Sequence, residues 1–537
     1  RALKPNNMKI VTTWIALLAC VALLAISPAA SAAGNPPVVS LPAVSSVERP
    51  NPIRRAHDRP NIVIVLTDDL GYGDVSFLNP ESKVQTPHMD ALAEAGVWGT
   101  DAHAPSTVCS PSRYALLTGR YAWRGKLRAG RLNPWEASAI EHDRVTLPKI
   151  LKTQGYFTAC VGKWHLGFDW PWKGGEQPPR SVIGKGTSTA TCELFDWSKP
   201  IKGGPLGAGF DTYFGDDIPN MPPYAFIEND RLTCDPVDVN GGELRKQQSM
   251  RGGYIHGVGP GEKDWRLENV MPTITAKAVE TIQTQSQTPE PFFLLFGTTS
   301  PHSPIVPLEA FQGGSEAGPY GDYIIQTDDA VGQVVAALKA AGVYENTLLV
   351  VSSDNGPAPF MRELIQSHQH HPSGPLRGLK RDLLEGGHRV PFIASWPAGG
   401  IDGGRRIDAT LSLTDLFATI AEIVGVPLED GIAEDSLNLL PTLRADAPLR
   451  EELVYHASNG KLGLRQGNWV YLRPRGITAE PEWYQQLWQG DSMDAPGLLF
   501  DLSNDLGQRS NLYDQYPERV QRMEARLAEI QKGTSTR

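Results

Sequence analysis

The sequence predicts an α/β fold: a large mixed, mostly parallel β-sheet sandwiched by helices, with a smaller C-terminal α+β part that contains an antiparallel sheet. Two observations predict the large sheet, namely continuous apolar runs that end in polar residues and helical patterns between those runs. A third observation, a change to short strand-like segments beyond residue 444, predicts the smaller part. Open sheets of this kind bind ligands beyond the carboxyl ends of their strands.

Four apolar runs have the length and composition of strands that are buried on both faces of a parallel sheet. They span residues 61–66, 157–162, 292–296 and 347–351. Apolar residues at helical spacing predict helices over 328–341 and 414–424. This alternation of strands and helices indicates βα units in one sheet.

The C-terminal part has a different pattern. Residues 453–456, 467–472 and 498–502 have the character of short strands, and a charged helix is predicted over 517–532. A small antiparallel sheet with one helix fits this order of elements.

The chain of 537 residues is too long for one ordinary core, since domains hold roughly 100–200 residues. We predict two folded domains, a catalytic domain over 60–443 and a C-terminal domain over 444–537. Residues 33–59 are rich in Pro, Val and Ser and are predicted to be a linker. Residues 1–32 are predicted to hold upstream residues and a signal peptide.

The signal peptide is predicted from three features near the start of the chain. Lys9 provides a positive charge, residues 10–26 form an apolar stretch, and residues 30–32 are small enough for cleavage. A membrane anchor is the alternative, but Thr12 and Thr13 interrupt the apolar stretch. We therefore expect an exported protein, periplasmic or secreted, with no stable membrane span after removal of the signal peptide.

Composition and charge exclude several classes of partner. With 40% apolar and 20% charged residues, the chain is typical of a soluble globular protein. The formal net charge of -10 argues against binding to nucleic acid or to an anionic membrane, because the summed field repels both. An anionic substrate would therefore need a local cluster of basic side chains.

The cysteines are too few for a disulfide scaffold. Removal of the signal peptide leaves Cys109, Cys160, Cys192 and Cys234. We expect Cys192 and Cys234 to pair, because both lie in loop-like sequence of an exported protein. Cys160 lies in an apolar run and is expected in the core.

Two acidic pairs follow two of the predicted strands. Asp68-Asp69 comes after the first run, and Asp354-Asn355 comes after the fourth. Either pair alone is more typical of a helix cap or turn. Together, at strand ends of one sheet, they favour a calcium or magnesium site, because these cations prefer oxygen ligands.

A signature segment begins at Cys109. The run Cys109-Ser110-Pro111-Ser112-Arg113, followed by Leu-Leu-Thr-Gly-Arg at 116–120, resembles the signature of the type I sulfatases, a branch of the alkaline phosphatase superfamily. A structural cysteine entering a helix is the alternative for the first run alone. Further blocks resemble the family in the family's order, at 65–74, 162–167, 301–304, 353–356 and 378–391.

This resemblance, which spans about residues 60–511, implies an alkaline-phosphatase-like fold and hydrolysis of sulfate esters through a nucleophile made from Cys109. In the family this cysteine is oxidised to formylglycine by a separate formylglycine-generating enzyme, and one Ca²⁺ is bound, with Mg²⁺ less favoured. The implied metal ligands are the modified side chain at residue 109 together with Asp68, Asp69, Asp354 and Asn355.

The resemblance also implies roles for basic side chains. Arg113 would hold the nucleophile, and Lys163 and Lys380 would bind sulfate oxygens. His302 would contact the substrate and, with Lys380, protonate the leaving group. Asp354 would accept a proton from the attacking hydroxyl, and His165 would take one from the remaining hydroxyl as sulfate leaves.

Other residues are weaker candidates. Arg377 is interpreted as a contact for an anionic sugar. His368, His370 and His371 could form a transition-metal site, but a solvated or substrate-lining loop is favoured. The aromatic residues of 210–215 are expected in the core, and would serve as platforms for a sugar only if they are exposed.

The sequence leaves the substrate open. Sulfated carbohydrates suit an exported enzyme, and aryl sulfates would use the same sulfate pocket. A phosphonate monoester or phosphodiester hydrolase on the same scaffold is an alternative. A non-catalytic binder of sulfated glycans, in which Cys109 remains a thiol, is another.

Overall fold

The computed structural model describes residues 59–179, 182–183, 189–250, 255, 257–474, 476, 480–491, 493 and 495–537. The signal peptide and all but the last residue of the linker lie outside the described residues. No helix within the described residues has the length and apolar character needed to span a bilayer.

The secondary structure alternates between strands and helices over most of the described chain. In chain order the strands are β1 (Asn61–Asp68), β2 (Val97–Gly99), β3 (Ala102–His103), β4 (Phe157–Gly162), β5 (Phe168–Asp169), β6 (Lys202–Gly203), β7 (Thr212–Gly215), β8 (Ile227–Glu228), β9 (Arg231–Leu232), β10 (Val237–Asn240), β11 (Val258–Gly261), β12 (Phe292–Pro301), β13 (Thr347–Ser353), β14 (Phe392–Ser395), β15 (Arg405–Ile407), β16 (Leu411–Ser412), β17 (Glu452–His456), β18 (Leu462–Gln466), β19 (Trp469–Leu472) and β20 (Leu498–Asp501). The α-helices are α1 (Pro87–Ala95), α2 (Cys109–Thr118), α3 (Leu147–Thr153), α4 (Gly204–Gly207), α5 (Gly241–Leu244), α6 (Val270–Gln285), α7 (Gly318–Ala340), α8 (Glu363–His368), α9 (Leu416–Val424), α10 (Leu440–Ala445), α11 (Glu482–Trp488) and α12 (Pro517–Lys532).

The central sheet has ten strands in the order β15-β2-β14-β13-β1-β12-β4-β7-β8-β9. Its centre is parallel: β1 pairs with both β12 and β13, β12 pairs with β4, and β4 pairs with β7. The antiparallel strands β14, β8 and β9 extend it on the two sides. The predicted mixed, mostly parallel sheet is therefore confirmed.

Strand β1 shows why the sheet is buried on both faces. Every residue of the strand is buried. Ile62, Ile64 and Leu66 enter the core that α2, α3 and α9 cover, whereas Val63 and Val65 enter the core under α1, α6 and α7. Side chains alternate between the faces of a strand, so a continuous apolar run is what a sheet between two helical layers requires.

The C-terminal part is a four-stranded antiparallel sheet in the order β17-β18-β19-β20. Helix α12 covers it with Val520, Met523, Leu527 and Ile530, which share a core with residues of β17 to β20. The described residues pack as one compact unit. The predicted antiparallel α+β part is confirmed, and the domain boundary at residue 444 stays a prediction.

Two elements differ from the sequence-based expectation. Helix α7 begins at Gly318 and not at residue 328, because its first turns bury Tyr320, Asp322 and Gln326, whose polar groups hide the apolar periodicity. Strand β18 was not predicted, since it contains Gly463 and buries the polar Arg465.

The expected disulfide is not formed. Cys192 and Cys234 are both free thiols and partly exposed, and Cys234 contributes to the raised pKa of Cys192, after burial and Asp238. The expectation of a buried Cys160 is confirmed, because this residue lies inside β4 in the core.

Candidate active site

The predicted site residues converge at the carboxyl edge of the central sheet. Strands β1, β4, β12 and β13 are neighbours and run parallel, so the residues that follow them meet in space. The residues brought together in this way are Asp68, Asp69, Lys163, His165, His302, Asp354 and Asn355. Helix α2 and the loop after α8 add Cys109, Arg113 and Lys380 to the same place.

The acidic residues leave a set of oxygen atoms without partners. Asp68 Oδ1, Asp69 Oδ2 and Asn355 Oδ1 are buried and accept no hydrogen bond from any described residue. Asn355 Nδ2 donates to Asp69 Oδ1 at 2.7 Å, so the amide side chain lies against that carboxylate and its own oxygen stays unpaired among the described residues. Because buried oxygen atoms are costly to leave unpaired, their convergence fits a site for a cation with oxygen ligands.

Two lysines neutralise these carboxylates. Lys163 Nζ lies 2.6 Å from Asp68 Oδ2, and Lys380 Nζ forms an ion pair with Asp69 Oδ1. Burial raises the pKa of Asp68, but the charges of His302 and Lys163 outweigh it and lower the pKa overall. For Lys380, burial lowers the pKa, but Asp69 and neighbouring anionic groups outweigh it, so the ammonium group remains protonated.

Arg113 connects helix α2 to the acidic residues. Its Nε donates to Asp354 Oδ2 at 2.8 Å, and its Nη1 donates to the carbonyl of Lys163 at 2.8 Å. Gly297 makes this approach possible, because a Cβ atom there would lie 3.0 Å from Nη1 and 2.7 Å from the Lys163 oxygen. The Nη2 atom is buried and without a partner among the described residues.

Cys109 is the first residue of α2 and is fully buried. Its Sγ lies 3.2 Å from Nδ1 of His165. The Nε2 of His165 lies 3.0 Å from the carbonyl oxygen of Leu132, which can only accept, so Nε2 carries a proton. Burial, reinforced by Lys163 and Arg131, holds the pKa of His165 well below its ordinary value. The ring is therefore neutral, and the lone pair on Nδ1 faces Cys109.

A left-handed backbone conformation aims the His165 side chain. His165 has φ +54°, and its N–H donates to Asp217 Oδ1 at 3.1 Å. Such a conformation is uncommon for a residue with a Cβ and is found where the surroundings hold it in place. Asp217 is thus a positioning residue for the imidazole.

His302 lies at the edge of the site. Its Nδ1 lies 2.5 Å from the carbonyl oxygen of Ser303, and its Nε2 lies 3.8 Å from Asp69 Oδ2. The side chain is 14% exposed, more than those of Lys163 and Lys380. Burial lowers the pKa of His302, although Asp68 and Asp69 oppose this. Its Nε2 is thus directed toward the acidic residues while the ring retains access to solvent.

The sequence of this chain matches the profile of one protein family. The profile described as Sulfatase matches residues 60–426. This chain belongs to the sulfatase family.

Relatives of this sulfatase match most of its length. An N-acetylgalactosamine-6-O-sulfatase of Bacteroides thetaiotaomicron is 34% identical over 514 residues, which covers 89% of this chain and 94% of the relative. Human arylsulfatase A is 31% identical over 477 residues, which covers 84% of this chain and 83% of the relative. The sulfatase described here is accordingly a sulfuric ester hydrolase.

A solved structure agrees with this assignment. A Bacteroides thetaiotaomicron chain, described under the metabolism of multiple glycosaminoglycans, superposes with a TM-score of 0.75 at 30% identity. The match covers 89% of this sulfatase and 100% of that chain.

One predicted substrate contact is wrong. Arg377 is fully buried, and its Nη2 lies 2.6 Å from Glu480 Oε2, in the C-terminal part of the sulfatase. Its Nε also donates to Glu480 Oε1 at 3.2 Å. A guanidinium that is paired in this way inside the protein joins two parts of the chain and does not face a sugar.

The loop that carries His368, His370 and His371 also differs from the expected solvated or substrate-lining loop. His370 is buried, and its Nε2 lies 2.8 Å from Asp74 Oδ1, so it is neither solvated nor free to line the substrate. His368 hydrogen-bonds Ser367 at the exposed end of α8. These contacts give His368 and His370 local structural roles, and none of the three histidines belongs to a group of possible metal ligands within the described part of the chain.

Sequence reasoning missed Asp216 and Asp217. They follow β7, which pairs in parallel with β4, so they reach the same edge of the sheet as Lys163. Both are buried, and burial raises the pKa of each carboxyl to about 7. The sequence does contain a signal for them, because Asp216 and Asp217 form an acidic pair after a strand, the same pattern that predicted Asp68 and Asp69.

Proposed function

We propose that this sulfatase hydrolyses sulfate esters of carbohydrates with a formylglycine made from Cys109 and a divalent cation held by Asp68, Asp69, Asp354 and Asn355. One observation carries the proposal: unpaired buried oxygen atoms of the acidic residues lie beside a Cys109 side chain that faces the lone pair of a neutral imidazole.

The donor set suits Ca²⁺. The ligand atoms of Asp68, Asp69 and His302 lie within 4.8 Å of one another, and three unpaired oxygens come from the proposed ligands. Calcium and magnesium both take oxygen ligands, and calcium accepts an all-protein set of carboxylates more readily. The bound cation supplies a positive charge that stabilises the negative charge developing on the sulfate group. We favour one Ca²⁺, with Mg²⁺ as the alternative.

The modified residue explains the use of a cysteine. The aldehyde, as its hydrate, supplies a hydroxyl nucleophile and afterwards lets sulfate leave without a second attack at sulfur. Cys109 is fully buried at the start of α2, so a modifying enzyme cannot reach it in the folded chain. We therefore propose that the formylglycine-generating enzyme acts before folding is complete.

The fixed cations support binding of an anionic group. Arg113, Lys163 and Lys380 are each at least 95% buried and are held by carboxylates or backbone oxygens. Groups held in this way stabilise a negative transition state without reorganising, an effect worth about 3–4 kcal/mol for a single donor. We assign Lys163 and Lys380 to the sulfate oxygens and Arg113 to residue 109.

Two histidines are proposed for proton transfer. His165 presents an unprotonated Nδ1 to residue 109 and is suited to accept a proton there. Asp354 receives a hydrogen bond from Arg113, and we propose that it accepts the proton of the attacking hydroxyl. His302, at the more exposed edge, is proposed to protonate the leaving group together with Lys380.

The relatives favour a sulfated amino sugar as substrate. Several bear the name N-acetylgalactosamine-6-sulfatase, and they match 76–89% of this chain. We propose 6-O-sulfated N-acetylgalactosamine as the first candidate, with aryl sulfates as a second class because arylsulfatases also match. Export to the periplasm or the medium, where such glycans are encountered, is part of the proposal.

The test uses protein co-produced with a formylglycine-generating enzyme. Ion chromatography measures the sulfate released from 6-sulfated N-acetylgalactosamine, other sulfated sugars and 4-nitrophenyl sulfate. Hydrolysis of a phosphonate monoester and of a phosphodiester is measured in parallel through the alcohol or phenol that each releases. The Cys109→Ala variant is the control. Faster hydrolysis of a sulfated sugar than of the phosphorus esters is expected. Faster cleavage of a phosphorus ester, or binding of sulfated sugars without turnover, would overturn the proposal.

A further inference from the structure

A second pair of cationic side chains lies beside the nucleophile and outside the set that binds the sulfate group. Arg131 is half-buried, and its Nη1 donates to the carbonyl of Leu132 at 3.0 Å. That carbonyl is the acceptor for His165 Nε2, also at 3.0 Å. The guanidinium of Arg131 is thereby fixed next to the imidazole that faces Cys109.

The loop that carries Arg131 is tied to helix α2. The Leu132 N–H donates to Ser110 Oγ at 3.1 Å, one residue after the nucleophile. Arg131 Nη1 also donates to Asn133 Oδ1 at 3.0 Å. Backbone and side chain are thus anchored at the site, and the remaining N–H groups of the guanidinium have no acceptor among the described residues.

The backbone of Arg381 is also anchored close to the nucleophile. It follows Lys380, and its N–H donates at 2.9 Å to the carbonyl of Thr107, two residues before Cys109. The φ of Arg381 is +86°, a left-handed conformation that is rare for a residue with a Cβ atom. The side chain is exposed.

Neither guanidinium is neutralised within the described residues. No carboxylate forms an ion pair with Arg131 or Arg381, whereas the arginines Arg113, Arg377 and Arg389 are all paired. The charge of Glu136 acts on Arg131, but the Glu136 carboxylate accepts its hydrogen bonds from Asn133. Burial lowers the pKa of Arg131, Cys109 opposes this and Arg381 adds to it, in keeping with backbone contacts that place one arginine next to His165 and the other next to Thr107.

We propose that Arg131 and Arg381 form a second anion subsite, which binds another negatively charged group of the substrate while its scissile sulfate lies between Lys163 and Lys380. This inference rests on the proposed function and adds the substrate class: a sugar with two anionic groups. A net charge of -10 makes a local cationic pair necessary for attracting such a substrate. The second group is a carboxylate or a sulfate, because guanidinium forms paired hydrogen bonds with either.

The test compares three substrates on the matured protein. The first is 6-sulfated N-acetylgalactosamine, the second is its 4,6-disulfated form, and the third is a disaccharide that links the 6-sulfated sugar to a uronic acid. The variants are Arg131→Gln and Arg381→Gln, and Arg522→Gln, on exposed α12, is the matched control. For each protein the measured quantity is the ratio of kcat/KM on a doubly anionic substrate to that on the monosulfated sugar.

The ratio is used because Arg131 and His165 share an acceptor, so loss of Arg131 can also change catalysis on every substrate. We expect either variant to lower the ratio about tenfold on at least one doubly anionic substrate. We expect the control to leave the ratio unchanged. A fall on the uronic acid substrate assigns the subsite to a carboxylate, and a fall on the disulfated sugar assigns it to a sulfate.

Two other outcomes count against the subsite. If the wild-type protein hydrolyses the monosulfated sugar and neither variant changes either ratio, the subsite is wrong and the proposed function stands. If the matured wild-type protein hydrolyses none of the three, the proposed function fails and the subsite fails with it.

Discussion

The Nδ1 atom of His165 lies 3.2 Å from the Sγ atom of Cys109, and its Nε2 proton is held by the Leu132 carbonyl. This hydrogen bond decides the tautomer, because a carbonyl oxygen can only accept. His165 is therefore arranged to take a proton from residue 109 and not to give one.

Loss of His165 should slow the release of sulfate more than the attack on it. For His165→Ala we expect kcat to fall ~10²–10⁴-fold, the usual range for a positioned base. Stopped-flow measurement with 4-nitrophenyl sulfate should show a burst of 4-nitrophenol followed by slow turnover. His142→Ala, at an exposed position, is the control. A kcat that falls without any burst would argue that His165 acts before sulfate transfer.

The oxygen atoms left unpaired at Asp68, Asp69 and Asn355 predict stabilisation by calcium. Ligand at 100 times its dissociation constant stabilises a protein by about 2.7 kcal/mol. We expect Ca²⁺ added to chelator-treated protein to raise Tm and to restore activity better than Mg²⁺ does.

The ion pairs of Lys163 and Lys380 should keep the chelated protein folded. Asp68→Asn should abolish the calcium-dependent rise in Tm, measured by differential scanning fluorimetry. Asp402→Asn, at an exposed position, should retain it. An equal calcium response in both variants would place the cation elsewhere.

The edge position of His302 predicts a dependence on the leaving group. An alkoxide needs a proton as it leaves, whereas 4-nitrophenolate does not. An anionic sulfate bound beside His302 raises the proton affinity of its ring. We expect His302→Ala to lose about 10²-fold or more on a sulfated sugar and much less on 4-nitrophenyl sulfate.

Lys380→Ala provides the comparison for this prediction. Because Lys380 pairs with Asp69 and is proposed to bind sulfate oxygens, its loss should reduce kcat/KM on both substrates. Equal losses on the two substrates in His302→Ala would show that His302 does not protonate the leaving group.

A buried ion network predicts the response of stability to acid. Asp101 contacts Arg465 at 2.7 Å, His103 at 2.9 Å and Arg389 at 3.2 Å, and so joins the central sheet to β18. Burial raises the pKa of Asp101, but Arg389 and His103 outweigh it and hold the pKa well below its ordinary value. Its contribution to stability is thus present above the unfolded pKa of about 3.9 and is lost as pH falls below it.

For Asp101→Asn we expect the free energy of unfolding at pH 7 to fall by roughly 3–5 kcal/mol, the cost of leaving buried cations unpaired. The difference from wild type should shrink as the pH falls below about 4, because the carboxyl of the unfolded wild-type chain then takes up a proton while the native carboxylate stays ionised. Urea unfolding at several pH values measures this, with Asp402→Asn as control. A pH-independent difference would mean that the carboxylate charge does not contribute.

Residues next to strand ends could be placed from the sequence. Asp68 and Asp354 follow apolar runs, and neighbouring parallel strands bring their carboxyl ends together whatever the intervening loops do. The block from Glu385 to Pro391 was likewise found by its motif. Its Arg389 turned out to join Asp101 and Glu385, an ion network that no pattern in the sequence indicated.

Pairings across long stretches of chain could not be predicted. Arg377 was interpreted as a sugar contact because its partner, Glu480, lies 103 residues further along the chain. Arg131 had no motif to mark it, and its significance comes from an acceptor shared with His165. The sequence restricts which residues follow strands, whereas these contacts depend on how separate loops pack against one another.

The most direct test of the account is peptide mass spectrometry of the fragment that contains residue 109, taken from a preparation with measured sulfatase activity. The account predicts that an aldehyde replaces the thiol, and that the fraction converted rises in proportion to specific activity across preparations. An active preparation in which Cys109 is entirely an unmodified thiol would contradict it.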